Sequence, residues 1–401
     1  MRASRPAWHD PPVNPPSDRL FTPAFVALTV SELAYFTAAG LVIGVTPFFV
    51  TGPLGSDEAG LGLVVGSFGV TTLLLRPFAG RIADRRGRRP LLIGGALLFA
   101  VALLAHLPAS DLVTVVVLRL LLGVAEAFYF VAAYAALADL APPGRSGEAL
   151  SYNSLALYLG VALGPFIGQL LLDAAGYGAA WAGGFALALA AGLLAMRVPE
   201  TVERSDGADA GPPAPLIHRA AIGPGLALFA GVAAMSGFLL LAGPHAARLG
   251  IDAWSVTFLV FGGVVVGMRV VFARLPDRVP PMQLGAAALG LCALGLATAS
   301  LVPGIFGLFA GTVALAAGVA FMTPALFAAT FARVVPAERG SAAGTGTLFI
   351  DLGFSGGPFV VGYAAATLGI PAAFGVAAAI ALAGAAGTVL GPRLARATVA
   401  T

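Results

Sequence analysis

Four charged residues stand where a charge is costly. Glu32, Arg119, Glu126 and Asp351 each interrupt a long apolar stretch, and ionisable groups held in hydrocarbon tend to mark the path of an ion or a substrate. Glu32 lies about ten residues into its stretch, which at a helical rise of 1.5 Å places it about 15 Å deep, near the midplane of a bilayer core. Asp351 sits at a similar depth. Arg119 and Glu126 are seven residues apart, about 20° short of two full turns, so both project from one helix face. They can bridge through water or through an extended guanidinium. Desolvation favours a neutral acid and an approaching arginine favours its carboxylate, which is the chemistry a proton carrier needs. The competing reading of Glu32 is substrate recognition or a structural pair with Arg119.

Aromatic residues accompany these acids. Tyr35 and Phe36 lie one turn beyond Glu32, and Phe130 one turn beyond Glu126, where they can line a cavity. Arg76 and Arg269 lie nearer the ends of their stretches and can snorkel, so structural roles are expected of them. His245, at a stretch end, reads as interfacial. The single cysteine, Cys292, and four scattered histidines (His9, His106, His218, His245) offer no disulfide and no metal cage. There is no phosphate-binding Gly-rich loop with Lys-Ser/Thr and no His-Glu-x2-His helix. Neither a cofactor, a metal nor a catalytic residue is expected, and the soluble segments are too short for an enzyme domain.

The elements that must hold these residues follow from composition. The chain has 401 residues, 59% hydrophobic and only 10% charged, against about 25% charged in ordinary globular chains. Such a chain cannot cover a soluble surface, which excludes soluble enzymes, disordered scaffolds and nucleic-acid binders. A helix needs about 20 apolar residues to cross a bilayer. Twelve stretches meet that length, near 22–50, 60–79, 90–107, 111–138, 149–172, 177–197, 223–243, 253–273, 283–302, 305–332, 342–367 and 371–391. All 22 basic residues are arginine, and eighteen of them, from Arg2 through the cluster Arg81, Arg85, Arg86, Arg88 and Arg89 to Arg396, fall on the side of the termini; only Arg248 occupies a loop on the other side. That asymmetry predicts cytoplasmic termini. Residues 1–20 are Pro-rich and lack the apolar core of a cleavable signal peptide.

Sliding the chain by 193 residues exposes an internal repeat. Arg76, Arg81, Asp84 and Arg85 land on Arg269, Arg274, Asp277 and Arg278, while Gly160, Gly164, Pro165 and Phe166 land on Gly353, Gly357, Pro358 and Phe359. The predicted organisation is a cytoplasmic tail over 1–20, a six-helix bundle over 21–198, a cytoplasmic linker over 199–221, a second six-helix bundle over 222–392 and a tail over 393–401. Parallel repeats of this kind suggest a transporter with its site between the halves.

The stretch Gly80-x3-Asp84-Arg85-x-Gly87-Arg88-Arg89 resembles the signature loop of the major facilitator superfamily at each defining position. The resemblance implies a latch that stabilises an outward-open state by bonding across the halves; the alternative is a plain positive anchor. Arg119 followed by Gly123 resembles the family's arginine motif. Gly160, Gly164, Pro165 and Gly168 resemble the antiporter motif of its drug-exporting members, with Ser151 and Gln169 replacing two glycines; helix packing alone is the competing reading. What the resemblance implies is an all-α integral membrane protein: twelve transmembrane helices in two pseudo-symmetric six-helix bundles rocking about a central cavity lined by the first, fourth, seventh and tenth. The expected function is proton-coupled efflux of a small organic molecule by a monomer in the plasma membrane, with protons and membrane lipids as its other partners and no nucleic acid. Proton-coupled nutrient uptake and a non-transporting sensor or assembly factor are the alternatives.

Overall fold

The computed structural model describes residues 20–142, 145–201, 217–335 and 338–399. Residues 1–19 of the expected N-terminal tail, most of the expected linker and the last two residues lie outside them. Helices run α1 Pro23–Thr51, α2 Glu58–Arg86, α3 Arg89–Leu104, α4 Leu112–Leu140, α5 Ser146–Ala195, α6 Arg219–Arg248, α7 Val256–Val271, α8 Leu275–Arg278, α9 Pro281–Leu301, α10 Gly304–Phe331, α11 Arg339–Leu368 and α12 Ile370–Val399. Their starts are chemically marked. The Thr22 hydroxyl accepts from the Phe25 amide at 3.2 Å, Asp57 from that of Gly60 at 2.9 Å and Asp111 from that of Thr114 at 2.8 Å, each satisfying an amide that the first helical turn leaves free.

Among the described residues, nine helices are long and apolar enough to cross a membrane. One of them, α5, is two crossings: Ala175 leaves helical geometry and Gly176 takes φ +78°, a conformation that an L side chain resists. Leu171 faces Gly183 across this break, so the limbs 146–174 and 177–195 fold back on each other. The shorter apolar helices α3 and α7 complete twelve crossings. The large exposed side chains, Val113, Val271, Leu301 and Phe306 among them, form an apolar rim suited to lipid rather than to water.

Close packing inside each half rests on small residues. The first limb of α5 runs parallel to α1: a Cβ on Gly40 would sit 2.7 Å from the Gly160 carbonyl oxygen, and one on Gly168 2.8 Å from Val45. In the second half, a Cβ on Gly353 would sit 2.8 Å from Val232 of α6, and one on Gly357 would strike the Ala233 carbonyl oxygen. Gly40 plus the repeat offset is Ala233, and Gly164 plus the offset is Gly357. The same backbone approach is therefore built twice.

Two seams join the halves. Along the α2–α11 seam, Cβ atoms on Gly66 and Gly69 would meet Phe359 and Ser355 at 2.8 and 2.7 Å, and the Ser355 hydroxyl donates to the Gly66 carbonyl at 3.0 Å. At the other seam, α7 lies on the first limb of α5, with Gly262 against Ala162.

Candidate functional site

The buried charges do not form one cluster. Glu32, Arg119, Glu126 and Asp351 are all buried, but Arg119 turns away from the acids and donates to the Thr46 hydroxyl at 2.9 Å. Seven residues of separation do place Arg119 and Glu126 on one face, yet the long guanidinium reaches along its helix toward the end that carries Thr46. Arg119 makes no direct pair with Glu126 or with Glu32.

Arg76 differs most from its expectation. It ion-pairs with Asp351 at 2.8 Å instead of snorkelling out, with side chains only 13% and 2% exposed. Its guanidinium also lies 4.7 Å from the centre of the Phe130 ring, an attractive placement for a delocalised cation. The pair ties α2 of the first half to α11 of the second. The repeat mate of Arg76, Arg269, crosses the other seam: it donates to the Ser154 hydroxyl at 2.6 Å and lies 4.7 Å from the centre of the Tyr158 ring. Tyr158 plus the offset of 193 is position 351. Equivalent arginines thus span equivalent seams, one onto an aspartate and the other onto a tyrosine.

Beside the Arg76–Asp351 tie, the walls are acidic and aromatic. Both oxygens of Glu32 and Oε2 of Glu126 are buried without a hydrogen-bond partner. Tyr35 stacks on Tyr129, centres 3.9 Å apart and planes within 6°, and packs edge-on to Phe36. Phe36 meets Phe130, which stacks on Tyr134. Ser31 fixes this wall, donating to the Ala191 carbonyl at 2.8 Å and sharing a 2.7 Å hydrogen bond with the Tyr129 hydroxyl. Sequence reasoning named Tyr35, Phe36 and Phe130 but passed over Tyr129, three residues beyond Glu126 and so on its face.

The signature loop bonds within its own half and to the start of the linker. Arg88 pairs with Asp139 and donates to the Ala135 carbonyl at 2.7 Å, while Arg89 donates to the Met196 carbonyl at 2.6 Å. The Glu200 carboxylate accepts from the amides of Arg88 and Arg89 at 2.9 and 3.2 Å. Gly87 adopts φ +98°, and a Cβ there would strike Glu200. Asp84 is 73% exposed in its side chain, 3.9 Å from Arg88, and Arg85 is exposed. A Cβ on Gly80 would meet only Val131, at 4.0 Å. No bond from this loop to the second half occurs among the described residues.

Cross-half bonds gather instead at the opposite end. Arg248 pairs with Glu58, and Phe48 packs on Trp254 at 4.5 Å. Gln169 donates to the Asp252 carbonyl at 2.6 Å and accepts from the Ser255 amide at 3.0 Å. This residue stood out in the sequence only as a departure from a glycine motif; here it clamps the halves. Gly160, Gly164, Pro165 and Gly168 face α1, Pro165 against Gly44. His245 is buried against Phe374 rather than interfacial. Among the described residues there is no cluster of His, Cys, Asp and Glu able to hold a metal ion.

Twelve crossings in two repeated halves, meeting at seams that flank buried charges, are the build of a membrane transporter. The family model described as Major Facilitator Superfamily matches residues 28–311. An uncharacterized MFS-type transporter of Burkholderia pseudomallei (strain 1106a) is 31% identical over 375 residues, 91% of each chain. Another, of Salmonella typhimurium (strain LT2), is 29% identical over 369 residues, 88% of this chain and 92% of its own. Among solved structures, a bacterial homolog of the human lysosomal transporter Spinster, inward-facing and occupied, aligns with TM-score 0.75 at 15% identity, covering 92% of this chain and 96% of its own. A human organic anion transporter aligns with TM-score 0.71 at 17% identity, covering 91% and 99%. This chain belongs to the Major Facilitator Superfamily, and it is a multi-pass membrane transporter for small molecules.

Proposed function

We propose that this protein is a proton-coupled exporter of a small organic molecule, a monomer working by alternating access in the plasma membrane with both termini cytoplasmic. One observation supports the coupling above all: Glu32 is buried with both carboxylate oxygens unpartnered. A buried acid without donors is stable when it carries a proton or faces a cation, and unstable as a bare anion. Asp351, by contrast, is held by Arg76. Release of Arg76 from Asp351 when the halves part would free a guanidinium for Glu126 and let a proton leave. The closed end carries Arg248, Gln169 and Trp254; the arginine-rich end carries a signature loop that bonds, among the described residues, only to its own half and the start of the linker. That combination fits a state closed toward the outside, with Asp84 of the latch free to bond across the halves in the other state.

The test is substrate-panel flux in proteoliposomes with and without an imposed pH gradient. Export driven by inward proton movement, lost in Glu32→Gln or Asp351→Asn, is the expected result. Flux that ignores the gradient and survives Glu32→Gln, Glu126→Gln and Asp351→Asn refutes the coupling. Substrate moving inward together with protons refutes export.

A further inference from the structure

The charges around the aromatic wall do not balance within the chain. Three carboxylates, Glu32, Glu126 and Asp351, are buried around this wall; of its guanidinium neighbours, Arg76 is held by Asp351, and Arg269 is turned to Ser154 and Tyr158 of the other seam. Arg119 is committed elsewhere, through Thr46. What remains is an acidic face with three unpartnered oxygens, two on Glu32 and one on Glu126. Aromatic rings stand beside it, with Tyr35 stacked on Tyr129. Protons alone would neutralise the acids without any need for ring faces. An anionic ligand would meet repulsion from the acids, since Arg119 is turned away.

The chain shows on itself which ligand such a lining accepts. The Arg76 guanidinium rests 4.7 Å over Phe130 while it bonds Asp351, a flat cation held between a ring and a carboxylate. Ring faces attract cations, more strongly where water is excluded. The second half offers no matching site, because the positions equivalent to Glu32, Arg119 and Glu126 at the offset of 193 are Gly225, Thr312 and Val319.

We propose that this acid-and-aromatic wall binds organic cations, molecules carrying a protonated amine or an onium centre on an apolar aromatic body. The proposal rests on the transporter reading and narrows its substrate class. The cation would sit against the first half, its charge facing Glu32 and Glu126 and its apolar body against Tyr35, and it would enter once the seam at Arg76–Asp351 opens.

The experiment compares two ions of one shape and opposite charge. Purified full-length protein in neutral detergent is dialysed to equilibrium against radiolabelled tetraphenylphosphonium or tetraphenylborate, with excess unlabelled ion defining saturable binding. The phosphonium is expected to bind saturably and at least tenfold more tightly than the borate. Glu32→Gln should weaken it tenfold or more, with a melting temperature that certifies its fold, and Tyr35→Leu should weaken it as well. Equal binding of the two ions, tighter binding of the borate, or no saturable phosphonium binding overturns the proposal on the wild-type protein alone. So does phosphonium binding that neither Glu32→Gln nor Glu126→Gln changes. No gradient is imposed, so a negative result removes the cation class while gradient-driven flux continues to test transport separately.

Discussion

Gly69→Ala should loosen one conformation of this transporter and spare the other. The added Cβ would lie 2.7, 2.8 and 2.9 Å from the amide nitrogen, Cβ and Cα of Ser355, where ordinary contact starts at 3.4 Å. Two of these atoms are backbone, so the α2–α11 seam must part by about 0.6 Å, a gap that forfeits about a quarter to a half of each dispersion contact across it. The Ser355 bond to the Gly66 carbonyl, 3.0 Å long, is stretched as well, at a cost of about 0.5–1.5 kcal/mol. Overpacking adds about 1–3 kcal/mol, so about 2–3 kcal/mol against the closed seam is a fair central value. At 1.4 kcal/mol per decade, that shifts the closed-to-open ratio roughly 30- to 140-fold. Ser255→Cys supplies the reporter: Ser255 is 2% exposed in the closed end, its backbone amide still donates to Gln169, and the native Cys292 is fully buried. Labelling by a membrane-impermeant maleimide added from outside should accelerate by that factor in the Gly69→Ala background. Gly94→Ala is the control, because a Cβ there meets nothing within 4 Å. Equal labelling rates with and without Gly69→Ala would refute the view that this seam closes the outer end.

Other perturbations have equally definite outcomes. Asp351→Asn strands Arg76 and should abolish most flux, whereas the charge swap Arg76→Asp with Asp351→Arg should restore part of it; failure of the swap to improve on the single variant would show that the charges act separately. Arg88→Ala removes a half-screened ion pair with Asp139 and a carbonyl bond, and should cost about 1–2 kcal/mol after discounting for solvent, read as a lower melting temperature in detergent. Gly80→Ala should leave that melting temperature unchanged, since its Cβ meets only Val131 at 4.0 Å, so any loss of flux would report on the alternate state. At Asp111, hydrogen bonds from the Thr114 hydroxyl and amide hold the carboxyl below its usual range. Its contribution is therefore complete above about pH 4 and lost as pH falls through the depressed value. Melting curves of wild type and Asp111→Ala should converge toward the acid limit.

The crossings and the repeat were legible because they repeat locally or at one fixed offset. Span length, arginine asymmetry and glycine spacing are properties of single segments, and the offset of 193 carried the first-half glycine seam onto the second. Partners across the halves were not legible. Asp351 lies far along the chain from Arg76, and no helical period links them; the one available hint was that Arg269 mirrors Arg76 while Tyr158 mirrors Asp351. A direct Arg119–Glu126 contact is missing for a different reason. Periodicity gives the direction in which a Cβ leaves a helix, whereas a guanidinium several bonds further out goes to whichever acceptor is nearest, here Thr46. Gln169 was noticed for the wrong property, as a missing glycine rather than as a side chain with both a donor and an acceptor to offer.

The two arginines that span the seams have a bearing on direction in time as well as in space. An internally repeated carrier with identical crossings would open with equal ease along either seam, and nothing in it would set the order of events. Here one crossing ends on a carboxylate and the other on a phenol ring and a hydroxyl. A proton taken up by the carboxylate would weaken the first crossing, whereas the described partners of the second offer no acid for a proton to act on. Under the proposed coupling, the molecule would have one fastening that a proton loosens and one that it leaves alone, and the order of their release, rather than their combined strength, would give the transport cycle a preferred first move.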